Sequence, residues 1–203
     1  LEWKVKLAGV LLQARQEELA GKVLNFILQQ KIDHPEVYFL QSRIQSGGSA
    51  FHSLQKSLLL KPDAKSALSN FGFWNLIAEK KFDALIWFRR AMISEPDNVE
   101  LQWNHALGLL ANGYLENGWV AAKCRHLKPE MYIERLGLPP EWDGQQITNG
   151  TLFVFQEQGI GDELRFANCF EDLSEKLKTK CFIETDARLI LFQAQLSFPL
   201  LQE

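Results

Sequence analysis

Six consecutive residues, Glu157-Gln158-Gly159-Ile160-Gly161-Asp162, have types and spacing that could do chemistry. They follow Thr151 to Gln156 (TLFVFQ), an apolar run with β-branched and aromatic residues that reads as a buried strand. They lead into Asp162 to Leu177, where apolar residues at 164, 166, 167, 170, 173 and 177 suit one amphipathic helix. Glycines at 159 and 161 allow positive φ and close backbone approach after a strand. The free N–H groups of the following helix face whatever sits above the strand end, where open α/β sheets bind ligands. Glu157, Gln158, Gly159 and Gly161 therefore form a candidate ligand loop. Leu164 stands where a dinucleotide fingerprint would need its third glycine, and Asp162 equally suits a plain helix N-cap.

Other chemistries find no support in the residues. His34, His52, His105 and His126 lack metal-ligand spacing, so no metal site is expected. Cys124, Cys169 and Cys181 form no C-x-x-C pair and have no local His partner, so they read as reduced thiols of a reducing compartment. Neither a G-x-S-x-G elbow nor a P-loop occurs.

The chain before this turn is repetitive. Pro62 and Pro96 are 34 residues apart, and Pro129 follows 33 later. The clearest unit runs from Lys65 to Asn98, with apolar residues at 68, 71, 74 and then 82, 85, 88, 92, a helical period broken at Glu79 to Lys81. This predicts helix, turn, helix and proline stop. Gly72 and Ala84 are small where the two helices approach, and Phe71, Trp74, Phe88 and Ala91 fill the seam. The flanking units are weaker. Glu36 to Pro62 has a shortened first helix with Gly47-Gly48 at its turn; Val99 to Pro129 has Ala106 and Gly118 at the small positions and Gly113 at the turn; Leu1 to Pro35 is helical in period but degenerate. We expect about three and a half helical hairpins across Leu1 to Lys128.

The clear unit resembles the tetratricopeptide repeat at Leu68, Phe71, Gly72, Ala84, Phe88, Ala91 and Pro96. That resemblance implies a curved solenoid with a concave face built from the first helix of each pair. Ser66, Ser69, Phe73, Leu76 and Ile77 would line it in one repeat, and Glu100, Trp103, Leu107, Leu110 and Ala111 in the next. The groove is apolar and lacks the Lys and Arg cluster of a carboxylate clamp. Phe73, Leu76, Ile77, Trp103 and Leu107 are its candidate partner-binding residues, for a protein, a peptide or a second copy. The same surface could instead be filled by the chain's own C-terminal segment.

Beyond Pro129 the pattern changes. Met131 to Gly150 is turn-rich and reads as a connector, with Trp142 an anchor at the domain junction. Lys180 to Glu184 reads as a second strand and Ala187 to Leu196 as a second helix, the opening of a Rossmann-like sheet. The run from Gly118-Trp119 through Arg125, Pro140, Trp142-Asp143-Gly144, Glu157 to Glu163 and Arg188-Leu189 to Ser197-Phe198-Pro199 resembles a bacterial family. Its members carry tetratricopeptide repeats followed by a glycosyltransferase-like domain similar to the heptosyltransferases of family 9, a GT-B fold. The architecture also resembles the protein O-GlcNAc transferases. This implies that Asp162, in the Gly161-Asp162 pair, is the acceptor-side base, with Glu157 and Gln158 beside it.

The expected fold is thus mainly α: a tetratricopeptide-type solenoid over 1–130, a connector over 131–150 and a partial Rossmann-like segment over 151–203. The last 53 residues supply less than half of one GT-B half. We expect a piece of a longer enzyme, inactive by itself, with a nucleotide-sugar donor bound only in the longer form and no cofactor here. A two-stranded sheet needs support, from the repeats or from pairing between chains. A non-catalytic repeat scaffold is the alternative. The balance of 22 Lys and Arg against 25 Asp and Glu, net −3, argues against nucleic acid. No apolar run is long enough for a membrane span, and a cytoplasmic location is expected.

Overall fold

The computed structural model describes residues 1–128, 137, 139–157, 159–177 and 179–189, which fall into two compact units, Leu1–Lys128 and Pro129–Glu203. The first is a row of eight helices: α1 (Glu2–Gln13), α2 (Glu17–Gln29), α3 (Pro35–Ile44), α4 (Gly47–Leu60), α5 (Lys65–Ile77), α6 (Lys81–Ser94), α7 (Val99–Ala111) and α8 (Leu115–Ala122). A 3₁₀ turn, Lys123–Leu127, follows. Each helix packs mainly on its neighbours in sequence, and first helices also meet across repeats, α1 with α3 and α5 with α7. That is the contact pattern of a solenoid.

Four hairpins are present, not three and a half, because the degenerate first segment closes a full pair around Val5, Ala8, Leu12, Ala20, Leu24 and Ile27. Three hairpins share one turn. The residue after the first helix's cap is left-handed, Arg15 at φ 57°, Glu79 at 59° and Gly113 at 79°. The next N–H reaches back five residues: Gln16 to Leu11 carbonyl at 2.8 Å, Lys80 to Asn75 at 2.9 Å and Tyr114 to Leu109 at 3.1 Å. This is a Schellman closure, which satisfies helix-end carbonyls. Small buried residues mark the crossings: Ala8 with Ala20, Ser42 with Ala50, Gly72 with Ala84, Ala106 with Gly118. The second pair is 8 residues apart and the others 12, so the shortened helix α3 lacks about one turn. There the turn is Gln45-Ser46, and Gly47, at φ 58°, already begins α4.

In the second unit, β1 (Thr151–Val154) pairs in parallel with β2 (Lys180–Ile183), Thr151 opposite Lys180 and Val154 opposite Ile183. Between them run α9 (Ile160–Ala167) and α10 (Cys169–Leu177). The single helix expected over Asp162–Leu177 is therefore two. Asn168 separates them, and asparagine suits helix ends because its side chain competes for backbone partners. Val154, Ala167, Phe170 and Ile183 pack together as the local core. Both strands end one or two residues early, at Val154 and Ile183, since Gln156 N–H turns to the Glu184 side chain instead of a strand partner. The expected helix over Ala187–Leu196 begins as a 3₁₀ turn, Ala187–Leu189, and its remainder lies outside the described residues. Residues 139–150 carry no helix or strand; Trp142 is half-buried and its Nε1–H donates to the Gln145 carbonyl at 2.7 Å.

Candidate functional site

The parallel pairing brings the loops after β1 and β2 to one end of the sheet. Glu157, Asp162 and Glu163 arrive from the first loop and the start of α9; Glu184, Asp186 and Arg188 arrive from the second. Gly159 is the N-cap of α9, and its carbonyl accepts from Asp162 N–H at 2.9 Å and Glu163 N–H at 3.3 Å. Asp162 is thus a first-turn residue and not the N-cap. Its carboxylate stands where the helix dipole favours negative charge. Gly159 and Gly161 do not use positive φ, which corrects one reading of the loop. A Cβ at either would meet nothing within 4 Å, so the space over them is open among the described residues. Gln158 lies outside the described residues.

Two acidic side chains, Glu184 and Glu163, tie the two loops together, and a third, Asp186, closes the second loop on itself. Glu184 Oε2 accepts from Gln156 N–H at 3.0 Å, while Glu184 N–H donates to the Val154 carbonyl at 2.8 Å. The Glu163 carboxylate accepts the Thr185 hydroxyl and the Asp186 N–H, the latter 3.2 Å from each oxygen. Asp186 holds Arg188 by a fork, Oδ1 to Nε at 2.8 Å and Oδ2 to Nη2 at 2.7 Å. These hydrogen bonds from Arg188 push the Asp186 pKa down from 3.8 to about 2. Sequence reasoning assigned no role to Glu184 or Asp186. The available signal was position, since acidic residues just after a parallel strand stand at the ligand end of the sheet. Among the described residues, no group of three or more His, Cys, Asp or Glu is placed to hold a metal ion. Burial pushes the Cys124 and Cys181 thiols up, the reverse of an activated nucleophile.

The expected groove is partly occupied by the repeats' own packing. Ser69 is buried and accepts from Asn104 Nδ2 at 2.8 Å, a link between α5 and α7. Phe73 packs edge-on against Phe88, with ring centres 4.9 Å apart. Leu110 covers the Gly118 backbone. All three pack into the seams between helices; Ser69 is buried, and Phe73 and Leu110 are half-buried. Leu76, Trp103 and Leu107 are half-buried, and Ile77 is 74% exposed.

No family profile matches the chain. Protein FlbA of Caulobacter vibrioides is 33% identical over 132 residues, 63% of this chain and 22% of that protein, so the chain spans about a fifth of its relative's length. The crystal structure of MamA matches with a TM-score of 0.52 at 16% identity, over 64% of this chain and 78% of MamA. A mutant O-GlcNAc transferase of Thermobaculum terrenum matches with a TM-score of 0.54 at 13% identity, over 100% of this chain and 41% of its own. At these identities the structural matches carry fold alone: a mainly α, tetratricopeptide-type solenoid with a small two-stranded sheet. Among the described residues no helix is long and apolar enough to cross a membrane.

Proposed function

We propose that the chain is part of a repeat-bearing glycosyltransferase-like protein. The division into a solenoid over 1–130, a connector over 131–150 and a partial Rossmann-like segment over 151–203 belongs to the same proposal. The observation that carries it is the acidic cluster at the carboxyl end of a parallel strand pair, beside open space over Gly159 and Gly161. The likeness of the whole chain length to an O-GlcNAc transferase supports it. In this reading Asp162 accepts the proton of an acceptor hydroxyl as the glycosyl bond forms, a step typically worth ~10²–10⁴-fold in rate. Glu157 and Gln158 line the acceptor side, and the repeats bind or present the acceptor. In this reading the nucleotide-sugar donor is held by a second Rossmann-like half, so the assay belongs on the longest natural form. There Asp162→Asn is expected to lower kcat by ~10²–10⁴-fold with unchanged thermal stability. Undiminished turnover overturns the assignment.

A second reading rests on the exposed Ile77 and the half-buried Leu76, Trp103 and Leu107 of α5 and α7. Here the repeats hold a protein partner and the C-terminal segment has no catalytic part. Ile77→Glu together with Leu107→Glu would then release a co-purifying protein, whereas an unchanged pull-down marks these side chains as internal packing.

A further inference from the structure

A cavity of about 470 Å³ opens where α5 begins, lined in part by His34, Ser57, Lys61, Ala64, Lys65 and Ser66. The N-cap of α5 is Ala64, which offers no side-chain acceptor, and the N–H groups of Lys65, Ser66 and Ala67 have no partner among the described residues. One repeat later the equivalent position is Asn98, whose Oδ1 accepts from Glu100 N–H at 3.1 Å and Leu101 N–H at 3.3 Å. Two further groups at the same cavity are unpaired. Ser57 is 1% exposed and its Oγ has no hydrogen-bond partner; His34 Nδ1 is buried and likewise unpartnered. Buried polar atoms are ordinarily paired, so two unpaired ones on residues that line one cavity point to a ligand or to water.

The unused groups at the start of α5 are donors, and a helix N-terminus favours an anion. The surrounding charge limits which anion. Lys65 is engaged by Glu95. That leaves Lys61 against the carboxylates of Glu36 and Asp63 in the same lining. A dianion is disfavoured there, while a single negative charge attached to a hydrogen-bond donor suits both sets of groups. We propose that this cavity binds a small carboxylate of the α-amino-acid class. Its carboxylate sits on the Lys65 to Ala67 amides and the Ser57 hydroxyl, and its ammonium is taken by Glu36 or Asp63.

The test is titration of the isotopically labelled full chain with glycine, acetate, acetamide and inorganic phosphate, read at the amide resonances of Lys65, Ser66 and Ala67. Glycine is expected to shift these three saturably, acetate more weakly and phosphate least. Ser57→Ala should weaken glycine binding about tenfold. Ala64→Asp places a carboxylate on the same amides and should abolish binding while the helix stays folded. The proposal is overturned if no probe moves these amides, which leaves the cavity to solvent. Equal shifts with acetamide, tighter binding of phosphate than of glycine, or unchanged affinity in Ala64→Asp would each overturn it too.

Discussion

The ring of Phe88 fills the space left by Gly72. A Cβ on that glycine would stand 2.6 Å from two atoms of the ring, and one on Gly108, in the next repeat, 3.0 Å from its other edge. Phe88 is wholly buried. One aromatic side chain on α6 therefore locks α5 of its own hairpin and α7 of the following one. Successive repeats are joined by an interdigitation that bulkier residues at 72 or 108 would force apart.

Gly72→Ala is accordingly expected to destabilise. Overpacking costs ~1–3 kcal/mol and the gain in helix propensity returns about 1, for a net loss of about 1 kcal/mol. Gly9→Ala, in α1, should do the opposite, since a Cβ there meets nothing within 4 Å, and a helix interior gains ~0.5–1 kcal/mol from the exchange. Urea unfolding checks both: the midpoints should move in opposite directions at constant slope.

The left-handed Arg15 and Glu79 hold turns that glycine occupies at 113. Arg15→Gly and Glu79→Gly should each stabilise by ~0.5–1 kcal/mol, because a side chain is strained at that φ. A lowered melting temperature in either variant would refute this.

Ser69→Ala leaves the Asn104 amide, only 3% exposed, without its partner. The expected loss is ~1–3 kcal/mol. Adding Asn104→Leu should cost less than the two single changes summed, and a double-mutant cycle measures the difference.

The Asp186 pKa of about 2, below its ordinary 3.8, makes the loop after β2 pH-dependent. The sign follows from a depressed carboxylate. Its contribution is complete above pH ~4 and is lost as pH falls toward 2. Arg188→Gln should return the Asp186 titration, followed by NMR, toward the ordinary carboxylate range. A midpoint unmoved by that change would refute the fork.

Glu163 is expected to set the conformation of the same loop. Glu163→Ala should make the Asp186 amide exchange with solvent about tenfold faster, since its acceptor is gone. Unchanged exchange would show that the backbone alone holds the loop.

The repeat was legible from Gly72, Ala84, Phe88 and Pro96, because close helix crossing demands small residues and a helical stop demands proline. Gly113 was legible as a turn for the same kind of reason: glycine advertises its φ. The break in the helical period marked the turn at Glu79 but not its left-handed φ, and at Arg15 neither was marked; there the closing hydrogen bonds and packed helices impose it. So the first segment was legible as helical, and only the structure showed that it closes a full hairpin.

At the strand end, composition and order alone determined a strand, a glycine-bearing turn and a helix carrying Asp162. Which carboxylates meet there was decided by the parallel register, which sets Val154 beside Ile183 and so brings Glu184, Asp186 and Arg188 to the loop that carries Glu163. In the groove, spacing placed Ser69, Phe73 and Leu110 on the right helices. Whether they faced solvent depended on how closely those helices approached. Helical period and turn chemistry are local and can be read along the chain; register and interaxial distance arise between residues on different elements, which only the folded packing brings together.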